Sequence, residues 1–157
     1  MGEKKFMNCV LVNCSANDEI LLLFREKEPY KDHWALIGGK MEFGEHPEET
    51  ALRELYEETG IKGNCNKVSG IISEVCEGDL DLHFIMFYCD VIPESKEIKQ
   101  MPEGEVKWFN KNNLPEKIVP SDKKMIEMFK DAEHIKILKA HMTQTEGKIE
   151  MKRWEHA

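Results

Sequence analysis

Apolar residues recur at two spacings along the chain, and the changes between them mark its elements. Phe6 to Cys14 (FMNCVLVNC) and Glu19 to Arg25 (EILLLFR) read as strands around the turn formers Ser15-Ala16-Asn17-Asp18. A charged loop, EKEPYKDH, is followed by a short apolar run, Trp34 to Ile37, which ends at Gly38-Gly39. The stretch KMEFGEHPE leads into a helix. Pro47 suits its first turn, Glu48 and Glu49 complement its positive end, and Gly60 is a natural stop. VSGIISEVCEG and DLDLHFIMFYCDV then read as long strands hinged near Gly78. PESKEIKQMPEGE is a polar connection without a core-facing pattern, and EVKWFN is a short strand. Ser121 and Asp122 stand where they could cap a helix, KKMIEMFKDA, with Met125, Ile126, Met128 and Phe129 at helical spacing. The tail from His134 alternates like a terminal hairpin around Glu146-Gly147. The predicted order is β-β-β-α-β-β-β-α-β-β, with no repeat or linker. It describes one α+β domain over residues 1–157, a mixed sheet with helices packed on it.

Composition narrows this picture. At 157 residues the chain can bury a core without covalent staples. No apolar run approaches the ~20 residues that span a bilayer. Lys4 and Lys5 begin the chain like a signal peptide, but Asn8, Asn13, Asn17 and Asp18 interrupt the apolar stretch, and the expected location is the cytoplasm. The five cysteines (Cys9, Cys14, Cys65, Cys76, Cys89) make no CxxC pair and read as reduced, non-catalytic thiols, with Cys14, Cys76 and Cys89 as small hydrophobes. A formal net charge of −8 argues against stable nucleic-acid binding, which relies on clustered Lys and Arg. It permits a small phosphorylated substrate if divalent cations lie between the two sets of negative charge. A monomer or homodimer with no membrane contact is expected.

The stretch Gly39 to Ile61, GKMEFGEHPEETALRELYEETGI, carries the candidate chemistry. At about 100° per residue, Glu54, Glu57 and Glu58 fall at i, i+3 and i+4, on one helical face. Ala51, Leu52, Leu55, Tyr56 and Thr59 form a separate arc suited to packing on the sheet. Like charges so crowded destabilise an isolated helix, and a hard divalent cation with oxygen ligands compensates directly. An acidic helix face is more often simply solvated. Here, however, Arg53 stands beside Glu54, able to orient a carboxylate through its two-pronged guanidinium, and Gly38, Gly39 and Glu45 precede the helix.

The segment resembles the Nudix signature: Gly, five residues, Glu, seven residues, then Arg-Glu-aliphatic-any-Glu-Glu-any-Gly-aliphatic. Gly39, Glu45, Arg53, Glu54, Leu55, Glu57, Glu58, Gly60 and Ile61 fill every specified position. The resemblance implies an α/β/α sandwich and a metal-dependent hydrolase of phosphoric anhydrides. Glu54, Glu57 and Glu58, with the Gly38 carbonyl, would bind Mg²⁺ or Mn²⁺. Glu54, Arg53 and Glu57 would be the catalytic group, with Glu54 as base held by Arg53. Glu103, or Glu105 in an alternative loop register, lies where MutT-like relatives place a further metal-binding or basic glutamate.

The chain is most similar to the MutT branch, which cleaves nucleoside triphosphates to monophosphate and pyrophosphate and often removes oxidised purines such as 8-oxo-dGTP. The likeness rests on the GGK loop, Trp108-Phe109, the Pro120-to-Asp122 segment and the terminal hairpin. By that likeness Asp122 would read a purine, but its companion acid is Ser121, the stacking aromatic is Val119 and a base-contacting Asn is Ala35. Trp34 is a candidate stacking residue, although a lone Trp is more often a core anchor. Lys40 and Arg25 are candidates for contact with the anionic substrate. A nucleotide-sugar or ADP-ribose hydrolase is the alternative enzyme, but the Pro expected about fifteen residues past the box in the ADP-ribose branch is replaced by Cys76. A nucleotide-sensing module without catalysis usually loses box glutamates, and none is missing here. A prenyl diphosphate isomerase would need a Cys and Glu pair outside the box, for which there is no convincing match.

Overall fold

The computed structural model describes residues 3–28, 30–79, 81–99, 104–146 and 148–156. Its elements run β1 (Lys5–Ala16), β2 (Glu19–Phe24), β3 (Trp34–Lys40), α1 (Pro47–Thr59), β4 (Gly63–Gly78), β5 (Leu82–Pro93), β6 (Val106–Asn110), α2 (Pro120–Met128), β7 (Lys136–Thr145) and β8 (Lys148–His156). This is the order the apolar pattern predicts. The eight strands form a mixed, curled sheet in the order β6-β2-β3-β1-β5-β4-β7-β8. β1 runs parallel to β5 and β4 parallel to β7, while the other neighbours are antiparallel.

The near-continuous apolar runs of β1 and β2 follow from burial on both faces. Alternate residues go to opposite sides, dividing the core in two. Ile20, Leu22, Leu36, Met86 and Tyr88 face one side and meet Met125, Ile126 and Phe129 at α2. Val10, Val12, Leu21, Ile37, Cys89 and Val91 face the other and meet Ala51 and Leu55 of α1. A helix on each face gives the α/β/α sandwich that the resemblance implies. No described helix is long and apolar enough to cross a membrane.

Local expectations change at three points. β3 continues through Gly38 and Gly39, which pair with Leu11 and Val10 of β1, instead of ending before them. α2 begins at Pro120 with Val119 as its N-cap, so Ser121 and Asp122 lie inside the first turn and do not cap it. On α1, Tyr56 is exposed and Glu58 is buried, the reverse of a simple apolar arc. The Cys14, Cys76 and Cys89 thiols are buried, as the pattern suggests, and burial pushes Cys14 up to about 12.

Gly78 ends β4 with φ 127°, and a Cβ there would overlap the Gln144 carbonyl oxygen of β7. Gly44 also has positive φ, 90°, but open space around it. Gly78→Ala should cost about 1–3 kcal/mol, and Gly44→Ala less, in urea denaturation. Equal midpoints for the two variants would show that the contact with Gln144 is unimportant.

Candidate active site

α1 is fixed at both ends before it offers any chemistry. At its start the Glu49 carboxylate accepts the His46 N–H at 2.8 Å, and Pro47 occupies the first turn, where a missing N–H costs nothing. At its end Gly60 turns left-handed with φ 73° and donates its N–H to the Tyr56 carbonyl at 2.8 Å.

Arg53 ties this helix to the segment that precedes it. Its guanidinium grips Glu45 with two hydrogen bonds, Nε to Oε1 at 2.6 Å and Nη2 to Oε2 at 3.0 Å. Nη1 reaches Glu54 at 2.9 Å and Glu57 at 3.3 Å, and Nη2 donates to the Lys40 carbonyl at 3.0 Å. Hydrogen bonds from Arg53, the Glu42 N–H and the Thr50 hydroxyl hold Glu45 down at about 2. The same pairing raises Arg53 above its already high value, so the guanidinium stays charged. The box glutamate before the helix thus anchors Arg53, and Arg53 orients Glu54 and Glu57.

The donor chemistry of the helix suits a hard divalent cation, since Glu54, Glu57 and Glu58 offer only carboxylate oxygens. The Glu54 carboxyl rests against Gly39, where any Cβ would overlap it. Glu58 is only 8% exposed, an unusual burial for a surface-helix carboxylate. Among the described residues no three His, Cys, Asp or Glu side chains already converge on a single point. Arg53 stands between Glu54 and Glu57 instead. The Glu57 side chain, 54% exposed, has room to turn toward a cation. Glu103 lies outside the described residues. Glu105 is described, and its carbonyl accepts the Phe24 N–H at 2.7 Å.

Gly38, Gly39 and Lys40 lead from this cluster into a cavity of about 450 Å³ on the α2 side of the sheet. Its walls are mainly apolar, with Cys9, Leu36, Phe84, Met86 and Met142, and Asp122 and Arg25 lie among them. Asp122 accepts the Leu36 N–H at 2.9 Å, and burial pushes its carboxyl up to about 6 against that bond and the nearby Arg25 charge. Trp34 is not brought to the cavity. It packs against Phe24 and Phe109 at centroid distances of 5.2 and 4.7 Å, behind the lining. A separate recess of about 500 Å³ around Asn13, Asp90 and Lys130 shares no residue with the glutamate cluster.

Two lining groups escaped the sequence reading. Tyr30 sits in the β2–β3 loop at φ 59°, a left-handed conformation that bulky residues rarely adopt. Glu74 is 7% exposed, on the same side of β4 as the buried Ile72 and Cys76. Period-2 counting along VSGIISEVCEG would have placed an acid on an apolar face and flagged it.

Burial, then the Asp122 charge, push Glu74 from the ordinary 4.5 up to about 7. The folded state therefore holds a proton that the unfolded chain has released between those values, and stability falls as pH rises through that window. Glu74→Gln should raise stability by up to about 3 kcal/mol at about pH 8.5 and change it little near pH 4.5. The check is the melting temperature of both proteins at the two pH values. A pH-independent difference would contradict the raised carboxyl.

A family model for the NUDIX domain matches residues 6–129. The structure of a MutT protein from Bacillus halodurans superposes with a TM-score of 0.77 at 27% identity, over 96% of this chain and 97% of that one. A bifunctional NMN adenylyltransferase/ADP ribose pyrophosphatase from Francisella tularensis, complexed with AMP and manganese, shares the fold with a TM-score of 0.64 at 24% identity, over 83% of this chain and 43% of that one. Diphosphoinositol polyphosphate phosphohydrolase 3-alpha of Mus musculus is 37% identical over 73 residues, 46% of this chain and 43% of the relative. The match therefore spans less than half the length of that curated relative. With the family model covering most of the sandwich and the signature complete from Gly39 to Ile61, around and along α1, the chain belongs to the Nudix family.

Proposed function

We propose that this enzyme hydrolyses nucleoside triphosphates, oxidised purines such as 8-oxo-dGTP among them, to monophosphate and pyrophosphate with Mg²⁺ or Mn²⁺. The observation that carries the reading is the apolar cavity opening beside the box glycines, with hydrogen-bonding acids in its lining. A flat heterocycle with polar edges fits such a lining. An inositol polyphosphate, anionic on all sides, would need a basic pocket, whereas Arg25 and Lys40 share this lining with the acids Glu74 and Asp122. A bifunctional neighbour that shares the fold over part of its length is complexed with AMP and manganese, which is in keeping with a nucleotide and a divalent cation as ligands here.

In this reading Glu54, Glu57 and Glu58, with the Gly38 carbonyl and Glu103, would hold the cation. A bound divalent cation supplies charge neutralisation and lowers the pKa of the attacking water. Glu54, its carboxylate held in place by Arg53 and backed by Gly39, would accept a proton from the attacking water. Lys40 is exposed beside the cavity and meets the phosphates. Asp122 and Arg25 face the base, and Tyr30 and Phe84 supply the flat apolar wall that Val119 cannot.

Hydrolysis in ¹⁸O-labelled water with Mg²⁺ tests the reaction on dGTP, 8-oxo-dGTP, dCTP, ADP-ribose and a diphosphoinositol polyphosphate. The expected products are nucleoside monophosphate and pyrophosphate, with label in the pyrophosphate after attack at the β-phosphorus. Label in the monophosphate would place the attack at the α-phosphorus, and faster turnover of ADP-ribose or the inositol compound would overturn the substrate class. Glu57→Gln and Glu58→Gln should each lower kcat on the order of 10²-fold or more, with the fold intact by circular dichroism. Asp122→Ala should flatten the preference for an oxidised purine more than it lowers kcat/KM on dCTP. Equal losses on every substrate would show that Asp122 only braces the Leu36 backbone.

A further inference from the structure

We propose that Glu74 is a specificity-determining residue, forming with Asp122 a pair of carboxyls that reads a nucleobase edge, one donating a hydrogen bond and the other accepting one. This rests on the reading that the cavity receives the base.

The position of Glu74 is hard to explain otherwise. It lies inside the sheet, with Phe84 of β5 and Ala140 of β7 as its cross-strand partners, and Ile72 and Cys76 on its own face. At 7% exposure its side chain lines the cavity, and no described residue makes a hydrogen bond or ion pair with its carboxyl. Asp122, on the facing helix, has the Leu36 N–H. A buried carboxyl without a partner costs several kcal/mol when ionised, and an apolar side chain would serve the sheet better. A ligand that hydrogen-bonds to it accounts for the acid.

The protonation state supplies the code. The charged and titratable groups facing the pair are Arg25 and Tyr30 from the β2–β3 loop, Cys9 of β1, Lys40 of β3 and Cys76 of β4. Within this setting Glu74 rises to about 7 and Asp122 to about 6. Between about pH 6 and pH 7 the singly protonated pair prevails, so it presents one donor and free acceptors. Nucleobase edges such as N1–H and O6 of guanine offer the complementary acceptor and donor side by side. Two ionised acids would offer acceptors only and would repel the carbonyl oxygen. The phosphates are kept from this end by the same charges and lie toward Lys40.

The test is equilibrium binding of dGMP, base-free deoxyribose 5-phosphate and pyrophosphate by calorimetry, with no turnover required. Glu74→Leu should weaken dGMP by about tenfold or more while leaving the two base-free ligands within about twofold. Glu74→Gln, whose amide mimics the protonated acid, should keep dGMP affinity near neutral pH and abolish its decline at alkaline pH. Unchanged dGMP affinity in Glu74→Leu would overturn the proposal, as would an equal loss for all three ligands. Should the wild-type protein bind dGMP no better than deoxyribose 5-phosphate, the nucleobase reading fails first and the role of Glu74 falls with it.

Discussion

The site depends on one cation that the protein supplies itself. Arg53 touches Glu45, Glu54, Glu57 and the Lys40 carbonyl, and thereby joins the end of β3, the loop after it and the middle of α1. A helix carrying three carboxylates on adjoining turns would otherwise repel itself and drift from the sheet. The two-pronged grip on Glu45 explains why a lysine could not replace it, because an ammonium is a point charge and cannot hold both oxygens in a plane. With Arg53 fixed, the Glu54 carboxyl is pressed onto Gly39, and the absence of a side chain there is what lets helix and strand meet.

The sheet then divides the labour. Its α1 face carries the charged groups suited to phosphate chemistry, and its α2 face carries an apolar cavity suited to a base. Gly38, Gly39 and Lys40 form the passage between them, on a strand held by hydrogen bonds to β1. On the proposed reading, a reacting group on a rigid helix and a recognition group across the sheet stand at a fixed separation, which favours orientation over flexibility.

What the sequence made legible follows from how local each feature is. The box spans little more than one helix and its approach, so residue spacing alone put Glu54, Glu57 and Glu58 on one helix with the glycines before it, but not Arg53 between Glu54 and Glu57. The order of elements was legible for the same reason, since each strand declares itself by its own apolar run. Glu74 left a local trace, an acid on the apolar side of the β4 alternation, but that this side closes over a cavity is decided by β7 and α2, both remote in sequence. Asp122 was legible as an acid near a helix start, with helix cap and purine reader both open, and it is the cap that the structure removes. Pro120 takes the first turn and Val119 the cap, which turns the carboxylate toward the Leu36 N–H across the cavity wall. Tyr30 hid in a loop of charged and turn-forming residues, where nothing local distinguishes a wall of the cavity from a solvated side chain.

The central claim is that the α1 carboxylates, ordered by Arg53, form a divalent-cation site beside the cavity. Titration of the protein with Mn²⁺, following free ion by electron paramagnetic resonance, measures this without any choice of substrate. The wild-type protein should take up Mn²⁺ in a saturable manner, and a Glu54→Gln, Glu57→Gln, Glu58→Gln triple variant that melts at the same temperature or higher should take up far less. Equal uptake by the two proteins would contradict the account.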